Sequence, residues 1–173
     1  MPRNIEIKAR VDSLASLEPR VAALADDGPT VIDQDDTFFP CSDGRLKLRA
    51  FSSESGELIF YRRADDTGPK ESFYILAATT TPDALRAALT HAWGDAGRVR
   101  KRRTLYRVGR TRVHLDRVEG LGEFLELEVV LGDGEDAAAG VAEAHALLAG
   151  LGIAAEALVA GAYVDLLAAR PPS

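Results

Sequence analysis

Polar and apolar residues alternate with a period of two in several short stretches of the chain. Between Asn4 and Val11, the even-numbered residues are polar and the odd-numbered residues are apolar. This alternation is typical of a β-strand with one buried face. The same criterion, together with turn residues between the stretches, predicts about eight strands, at residues 4–11, 30–39, 45–49, 58–63, 72–77, 99–108, 111–118 and 123–131.

Other stretches show the spacing of amphipathic helices. Apolar residues between positions 14 and 24 recur at helical intervals, but Pro19 lies among them, so the helix is predicted to begin only near Ser16. Thr81 followed by Pro82 is a typical helix start, and that helix is expected to end near Trp93. Two Ala- and Leu-rich helices are predicted near residues 135–149 and 154–168.

The order of these elements indicates the fold class. The strands come in hairpin-like runs, and Gly109 and Arg110 form a tight turn between two of them. Such runs favour antiparallel pairing and an α+β fold. No repeat or linker divides the 173 residues, so residues 1–173 are predicted to form a single domain.

Composition and charge narrow the function classes. The chain carries 21 Lys and Arg against 27 Asp and Glu, a net charge of -6. Residues 118–173 hold ten acidic side chains and one basic, whereas residues 1–117 hold 17 acidic and 20 basic. The acidic total argues against a general nucleic-acid binder, but it permits a local basic site. The single cysteine, Cys41, excludes an internal disulfide and a Cys-rich zinc site.

Targeting signals are not evident in the sequence. The chain does not open with a basic segment followed by an apolar one, and the Ala-rich region from 137 to 169 is interrupted by charged residues. We therefore expect a cytoplasmic protein that does not bind membranes.

Several predicted strands combine an apolar face with a face of formal charges. Examples are Glu6 with Lys8, Lys47 with Arg49, and Glu126 with Glu128, each pair on one face of its strand. One interpretation is an antiparallel sheet with one solvated face. The alternative turns the charged faces inward around a polyanion, so that Lys and Arg bind phosphates while two or three carboxylates hold Mg²⁺ or Mn²⁺. Carboxylates beside a cluster of cations are better explained by phosphate with a metal than by phosphate alone.

At this point the sequence resembles a known family. The run Asn4-Ile5-Glu6-Ile7-Lys8 is similar to the Glu-x-Glu-x-Lys hallmark of the CYTH superfamily, the triphosphate tunnel metalloenzymes. Further blocks occur in the order of the class IV adenylate cyclase-like branch, at residues 36–39, 44–49, 58–63, 68–74, 99–106, 115–128 and 162–167. Together these blocks cover nearly the whole chain.

The resemblance implies a fold and an activity. The fold would be a closed eight-stranded antiparallel β-tunnel with a charged bore and flanking helices. The activity would be divalent-metal-dependent chemistry on a triphosphate-containing small molecule, either cyclisation of ATP to cyclic AMP and pyrophosphate or hydrolysis of a triphosphate. Members of the family are often dimers, which makes a homodimer an expectation as well.

The resemblance also assigns roles to individual residues. Lys8 and Asp116 would be catalytic, with Asp116 as general base; alternatively, Asp116 would be a metal ligand or a structural carboxylate paired with an arginine. Glu128 would bind metal or stabilise a tunnel arginine. The metal ligands would be Glu6, Glu126 and Glu128, and the phosphate ligands would be Lys8, Arg10, Lys47, Arg49, Arg63, Lys70, Lys101 and Arg103.

Three features leave alternatives open. Asn4 replaces the first hallmark glutamate, which bears on a second metal or on activation of a nucleophile, and which supports a non-catalytic polyphosphate or nucleotide binder as an alternative. Residues 100–103 are four adjacent basic residues and suggest polynucleotide binding, but a strand turns only every second residue inward, and the resemblance selects Lys101 and Arg103. His114 shares a strand face with Asp116, and a lone histidine of this kind is more often structural.

Overall fold

The computed structural model describes residues 2–171, and it shows a closed barrel of eight antiparallel strands with four helices on its outside. Around the barrel the strand order is β1-β5-β4-β3-β2-β6-β7-β8, and β8 closes on β1. The predicted α+β barrel is confirmed. The strands are β1 (Arg3–Arg10), β2 (Asp27–Phe39), β3 (Arg45–Ser52), β4 (Ser55–Arg63), β5 (Lys70–Thr79), β6 (Gly97–Val108), β7 (Thr111–Val118) and β8 (Gly122–Val130), and the helices are α1 (Leu14–Leu24), α2 (Pro82–Trp93), α3 (Ala137–Gly150) and α4 (Tyr163–Ala168).

The main hydrophobic core lies between the barrel and the helices. Because side chains alternate across a strand, the apolar faces of β1, β7 and β8 point outward when the charged faces point inward. Ile7 of β1 and Leu125 of β8 are fully buried there, in one cluster with Leu17 and Val21 of α1 and Leu148 of α3. The amphipathic helices therefore cover the apolar outer surface of the barrel, which would otherwise be exposed to solvent.

A second cluster fills one end of the barrel. Phe124 of β8 and Tyr163 of α4 pack edge to face, with 5.0 Å between ring centroids. Phe38 of β2, Val99 of β6 and Val164 of α4 pack into the same cluster. The C-terminal helix thus closes one mouth of the tunnel.

Two helix predictions are wrong. Helix α1 begins at Leu14 rather than near Ser16, because Ser13 caps it by accepting a hydrogen bond from the Ser16 amide, and Pro19 is tolerated inside the helix. The predicted helix at 154–168 is broken into a short 3₁₀ turn, Ala155–Ala157, and α4.

The break has a structural cause. The Val159 amide donates to the Lys8 carbonyl, and Leu158 forms an isolated bridge with Ala9, so this segment runs along β1 in extended form. Gly161 then adopts φ 84°, which favours glycine, and α4 begins two residues later.

Among the described residues, no helix is long and apolar enough to cross a membrane.

Candidate active site

The charged faces of the strands line a cavity of about 280 Å³ inside the barrel. Seven basic side chains and five carboxylates border it, so cations outnumber anions in its wall. The basic residues are Lys8, Lys47, Arg49, Arg63, Lys101, Arg103 and Arg112, and the acidic residues are Glu6, Asp36, Glu57, Glu126 and Glu128.

Asp36 on β2 binds three of these cations. Its carboxylate accepts hydrogen bonds from Lys47 Nζ at 3.0 Å, from Arg49 Nε and Nη2 at 2.8 Å each, and from Lys101 Nζ at 3.4 Å. Burial alone would raise the pKa of Asp36, but the surrounding cations, Arg49 foremost, hold that pKa well below its usual range. This carboxylate therefore fixes the positions of three basic side chains at one wall of the cavity.

The three cations of this group outnumber the single carboxylate of Asp36, so each lysine lies in a region of net positive charge. The pKa of Lys47 is lowered by burial and by the neighbouring Arg49 guanidinium. Burial also lowers the pKa of Lys101, well below its usual range, despite the attraction of Asp36. An anion in the cavity would favour the charged form of both lysines, so the site is electrostatically suited to a polyanion.

Arg103 on β6 is held by two carboxylates. Its Nε and Nη2 donate to Asp116 at 2.8 and 2.7 Å, and Nη2 also donates to Glu126 Oε1 at 3.2 Å. Burial raises the pKa of Asp116, but Arg103 outweighs it and lowers that pKa to about 2. Asp116 is fully buried, does not border the cavity and also accepts the Tyr163 hydroxyl. This arrangement favours the structural alternative for Asp116, a carboxylate that orients Arg103.

A group of potential metal ligands lies beside these cations. One donor atom each of His114, Glu126 and Glu128 lies within 4.8 Å of the others. Strand pairing brings them together, because His114 of β7 is opposite Glu126 of β8, whose Oε1 is 3.2 Å from His114 Nδ1. Glu6 of β1 is opposite Glu128 on the other side of β8. We call these four side chains the carboxylate–histidine cluster.

The cluster fits a divalent cation. Burial raises the pKa of Glu6. The Arg63 guanidinium lowers this pKa in part, whereas the negative charges of Glu128 and Glu126 raise it. These three carboxylates already pair with Arg63, Arg103 and Arg112. A divalent cation between the carboxylates would further reduce the repulsion among them. Mg²⁺ and Mn²⁺ prefer carboxylate oxygens, and an imidazole is an acceptable further ligand for Mn²⁺.

The comparisons with known proteins agree with this geometry. Residues 2–163 match the CYTH domain. The chain belongs to the CYTH family. A search of curated proteins gave no match.

Solved structures share the fold of this CYTH domain over nearly its full length. The PH1012 protein from Pyrococcus horikoshii OT3 superposes with a TM-score of 0.85 at 22% identity, covering 95% of this chain and 99% of that one. A candidate adenylate cyclase from Vibrio parahaemolyticus gives 0.75 at 20% identity, covering 96% and 98%. A candidate adenylyl cyclase from Hippeastrum, described as having a dominant triphosphatase activity, gives 0.69 at 16% identity, covering 97% and 95%.

The CYTH barrel brings most of the sequence-predicted site residues to one cavity. The residues that border it are Glu6, Lys8, Lys47, Arg49, Arg63, Lys101, Arg103, Glu126 and Glu128. Arg63 faces the cavity, whereas its neighbour Arg62 is exposed, and Lys101 and Arg103 are buried while Arg100 and Arg102 are exposed, as the alternation predicts.

Two predicted phosphate ligands are not among the residues that border the cavity. Arg10, at the end of β1, is exposed, donates to the Leu121 carbonyl and lies over the Phe124 ring. Lys70, at the start of β5, donates to the Asp66 carbonyl at 2.8 Å. Arg10 and Lys70 both occupy positions that face inward on their strands. Each lies at a strand end, however, where its charged group donates to a backbone carbonyl instead.

The sequence does not identify every residue of the site. Asp36 lies in a motif block without an assigned role, His114 is predicted to be structural, and Glu57, Arg112 and Tyr163 have no predicted role. The alternation of side chains along a strand could have indicated two of them, because residues two apart point to the same face. Asp36 is two residues from Phe38, and Arg112 is two residues from His114, and all four border the cavity.

The cavity differs between its two ends. At the end closed by α4, Lys8 Nζ lies 3.8 Å from the centre of the Tyr163 ring, and Lys8 and Arg63 both donate to the Gly161 carbonyl at 3.2 Å. Away from α4, Leu76 is 51% exposed and still borders the cavity, together with Tyr74. The cavity therefore opens to solvent beside Leu76.

Proposed function

We propose that this CYTH protein is a divalent-metal-dependent enzyme that acts on a nucleoside triphosphate inside the barrel, converting ATP to cyclic AMP and pyrophosphate. The observation that carries the proposal is a single cavity in which seven basic side chains adjoin the carboxylate–histidine cluster. Basic side chains alone would suit any polyanion. The adjoining buried carboxylates suit a polyanion that is bound together with a cation.

The wall residues would act mainly through electrostatic stabilisation. Lys47, Arg49 and Lys101, positioned by Asp36, would bind phosphate oxygens, and Arg103, two residues beyond Lys101 on β6, would do the same. Mg²⁺ or Mn²⁺ on Glu126 and Glu128, with Glu6 and His114 beside them, would neutralise charge on the reacting phosphoryl group.

The two ends of the cavity favour one orientation of the substrate. The open end has apolar and aromatic walls at Ile32, Tyr74 and Leu76, which suit an organic group such as a nucleobase. The closed end has Lys8, whose pKa burial lowers to about 8. A nucleotide that enters phosphates first would place its terminal phosphates near Lys8 and its ribose nearer the open end.

This orientation is compatible with cyclisation. The ribose 3′-hydroxyl would attack the α-phosphorus and give its proton to a carboxylate of the carboxylate–histidine cluster, while the bond from the α-phosphorus to the bridging oxygen breaks and pyrophosphate leaves toward the closed end. Lys8 would stabilise the negative charge of the leaving group there and donate a proton to it, since a pKa of about 8 suits proton transfer near neutral pH.

Hydrolysis to orthophosphate is the second candidate. The observation that favours it is the same buried Lys8 at the closed end, because the terminal phosphate of a triphosphate would lie against this lysine. Water would then attack the terminal phosphorus, and an organic group at the open end would not be required.

The proposed partner is a small molecule rather than a polynucleotide. The outward basic residues of β6 are already paired, Arg102 with Asp33 and Arg98 with Asp35, each through two hydrogen bonds. These pairs leave less free positive charge for a phosphate backbone than the run of basic residues suggests. The homodimer and the cytoplasmic location remain predictions.

Product analysis tests the proposal. The purified protein is incubated with ATP, and separately with tripolyphosphate, in Mg²⁺, in Mn²⁺ and in EDTA, and the products are separated by anion-exchange chromatography. Cyclic AMP with pyrophosphate is the expected result, and orthophosphate would assign the second candidate. Tight metal-independent binding without turnover would contradict both and leave a non-catalytic binder.

A matched pair of variants links any turnover to the barrel. Glu126→Gln removes a charge from the cluster, and Glu119→Gln removes one from an exposed turn. Turnover is expected to be lost in the first and retained in the second.

A further inference from the structure

Four side chains of the cavity wall, Asn4, Gln34, Arg63 and Ser72, each have a buried polar atom without a partner in the described residues 2–171, and two of them are neighbours. Asn4 Oδ1 and Ser72 Oγ are buried and accept or donate no hydrogen bond within the described residues 2–171. Asn4 is 2% exposed and Ser72 is 1% exposed, and both border the cavity. Buried polar atoms are normally paired, so an unpaired atom that faces a cavity indicates a ligand that completes its hydrogen bonding.

The two side chains belong to one place in the wall. Asn4 of β1 is paired directly with Ser72 of β5, and both point to the inner face. Directly opposed residues on one face of an antiparallel pair have Cβ atoms roughly 4.5–5.5 Å apart. A group of one or two heavy atoms can therefore contact both side chains at once.

A third unpaired atom lies next to them. Arg63 of β4 is paired with Ser72 on the other side of β5, and its Nε is also buried without a partner in the described part of the chain. The rest of that guanidinium is occupied by Glu6 and the Gly161 carbonyl. The unpaired atoms at this point of the wall are thus an amide oxygen as acceptor, a hydroxyl as donor or acceptor, and one N–H donor, with the NH2 group of Asn4 beside them.

This donor and acceptor set matches a hydroxyl group. A hydroxyl donates one hydrogen bond, which Asn4 Oδ1 can accept, and its oxygen accepts others, which Ser72 Oγ and Arg63 Nε can donate. A phosphate oxygen could accept from Asn4 Nδ2 but would leave Oδ1 unpaired, and a metal ion would not use the donor of Arg63. The amide of Asn4 is neutral, so this part of the wall adds no negative charge that would attract a cation.

We propose that Asn4 and Ser72 form a neutral subsite that binds an uncharged hydroxyl group beside the carboxylate–histidine cluster. Glu6 follows Asn4 by two residues on the same face of β1, so the bound hydroxyl lies next to the cluster. The inference rests on the proposed function for its role, since the hydroxyl is either that of the substrate ribose or that of a water molecule. In both cases the subsite positions the nucleophile and adds no charge to the site.

The test uses variants in which a structural role and a binding role have opposite effects. Asn4→Leu and Ser72→Ala replace unpaired buried polar groups with apolar groups of similar or smaller size, while Ser53→Ala changes an exposed serine as the matched control. Removing an unsatisfied buried group leaves the melting temperature unchanged or raises it. The turnover of ATP is nevertheless expected to fall by roughly tenfold or more in kcat, since a lost hydrogen bond to a reacting group acts on the transition state.

Substrate analogues distinguish the two sources of the hydroxyl. If the ribose supplies it, wild type loses turnover with 3′-deoxy-ATP, and the two variants leave tripolyphosphate turnover unchanged. If water supplies it, 3′-deoxy-ATP remains a substrate, and the variants slow ATP and tripolyphosphate alike. Variants that keep wild-type kcat on both substrates would overturn the proposal.

A crystal structure of the wild-type protein without substrate tests the subsite independently of any turnover. The expected result is an ordered water within hydrogen-bonding distance of both Asn4 Oδ1 and Ser72 Oγ. A direct hydrogen bond between these two side chains, with no ligand on either, would overturn the proposal. If wild type proves inactive on every triphosphate, the proposed function fails, and this structure still decides whether the pair binds a hydroxyl.

Discussion

The hydroxyl of Tyr163 donates a hydrogen bond to Asp116 Oδ2 at 2.8 Å, and it thereby ties the C-terminal helix to the wall of the barrel. The same carboxylate accepts two hydrogen bonds from Arg103, so one buried group connects the closed end of the tunnel to a cation of the cavity. The Tyr163 ring in turn covers Lys8. The helix that closes the barrel is therefore also part of the wall of the site.

Tyr163→Phe separates the hydrogen bond from the ring. The variant keeps the packing against Phe124 and Lys8 but leaves Asp116 with one donor fewer, so we expect the free energy of unfolding to fall by about 1–3 kcal/mol. Tyr163→Ala also removes the ring and is expected to cost about 3–5 kcal/mol. Urea denaturation followed by circular dichroism measures both changes. Equal stability of wild type and Tyr163→Phe would contradict the role of this hydrogen bond.

Asp36→Asn tests the cation wall. The substitution leaves Lys47, Arg49 and Lys101 without their common carboxylate, and breaking a buried ion pair on one side costs roughly 3–5 kcal/mol. We expect a melting temperature lower by roughly 10 °C. Tripolyphosphate should raise the melting temperature of the variant by more than it raises that of wild type, because it supplies the missing negative charge.

The exposed Asp43, which pairs with Arg62 on the surface, provides the matched control. Asp43→Asn should change the melting temperature little, since exposed pairs contribute at most about 1 kcal/mol. An Asp36→Asn variant that was as stable as Asp43→Asn would refute the assignment of Asp36 as the organiser of the wall.

Lys8 predicts the pH dependence of anion binding. Burial lowers its pKa to about 8, below its unfolded value, so the folded protein without ligand loses this charge as the pH rises through 8. The cost of holding the charged lysine is present below pH 8 and disappears toward its unfolded pKa of about 10.4, so its contribution to stability improves across that window. Triphosphate binding requires the charge and should weaken over the same range.

Calorimetric titration with tripolyphosphate between pH 6.5 and 9.5 measures this effect. Lys8→Arg keeps its charge throughout, so its affinity should fall less steeply with pH than that of wild type. Titrating both proteins under the same conditions cancels the ionisation of the ligand itself. Identical slopes for the two proteins would show that Lys8 does not contact the anion.

The carboxylate–histidine cluster predicts the metal affinity. Glu126→Gln and Glu128→Gln each remove one negative charge, and we expect the affinity for Mn²⁺ to fall by roughly tenfold or more. Electron paramagnetic resonance of free Mn²⁺ gives the affinity without any substrate. Glu119→Gln, outside the barrel, should bind as wild type does. Undiminished Mn²⁺ binding by both cluster variants would place the metal elsewhere.

The alternation of residues predicts the strands and the side chains that share each strand face. Residues two apart on a strand point to the same face, so if Lys47 points inward, Arg49 does so as well. Once the barrel closes, such faces converge, which is why pairs such as Glu126 and Glu128 reached the cavity together. The closure itself came from the resemblance, because parity does not say which face is inside.

Strand register and chain ends could not be predicted in the same way. His114 became part of the cluster only because the register of β7 and β8 places it opposite Glu126. Arg10 has the correct parity but lies where β1 leaves the barrel, and the Leu121 carbonyl takes its guanidinium. The break at Gly161 depends on contacts with Lys8 and Arg63 from distant strands, and local helix propensity contains no information about them.

A crystal structure with Mn²⁺ and a non-hydrolysable ATP analogue tests the central claim most directly, because anomalous scattering locates the metal while the electron density shows the triphosphate. The account predicts one Mn²⁺ in contact with Glu126 and Glu128, phosphates bound to Lys47, Arg49 and Arg103, and the base beside Leu76. A triphosphate bound outside the barrel, or Mn²⁺ bound at a site that includes neither glutamate, would contradict it.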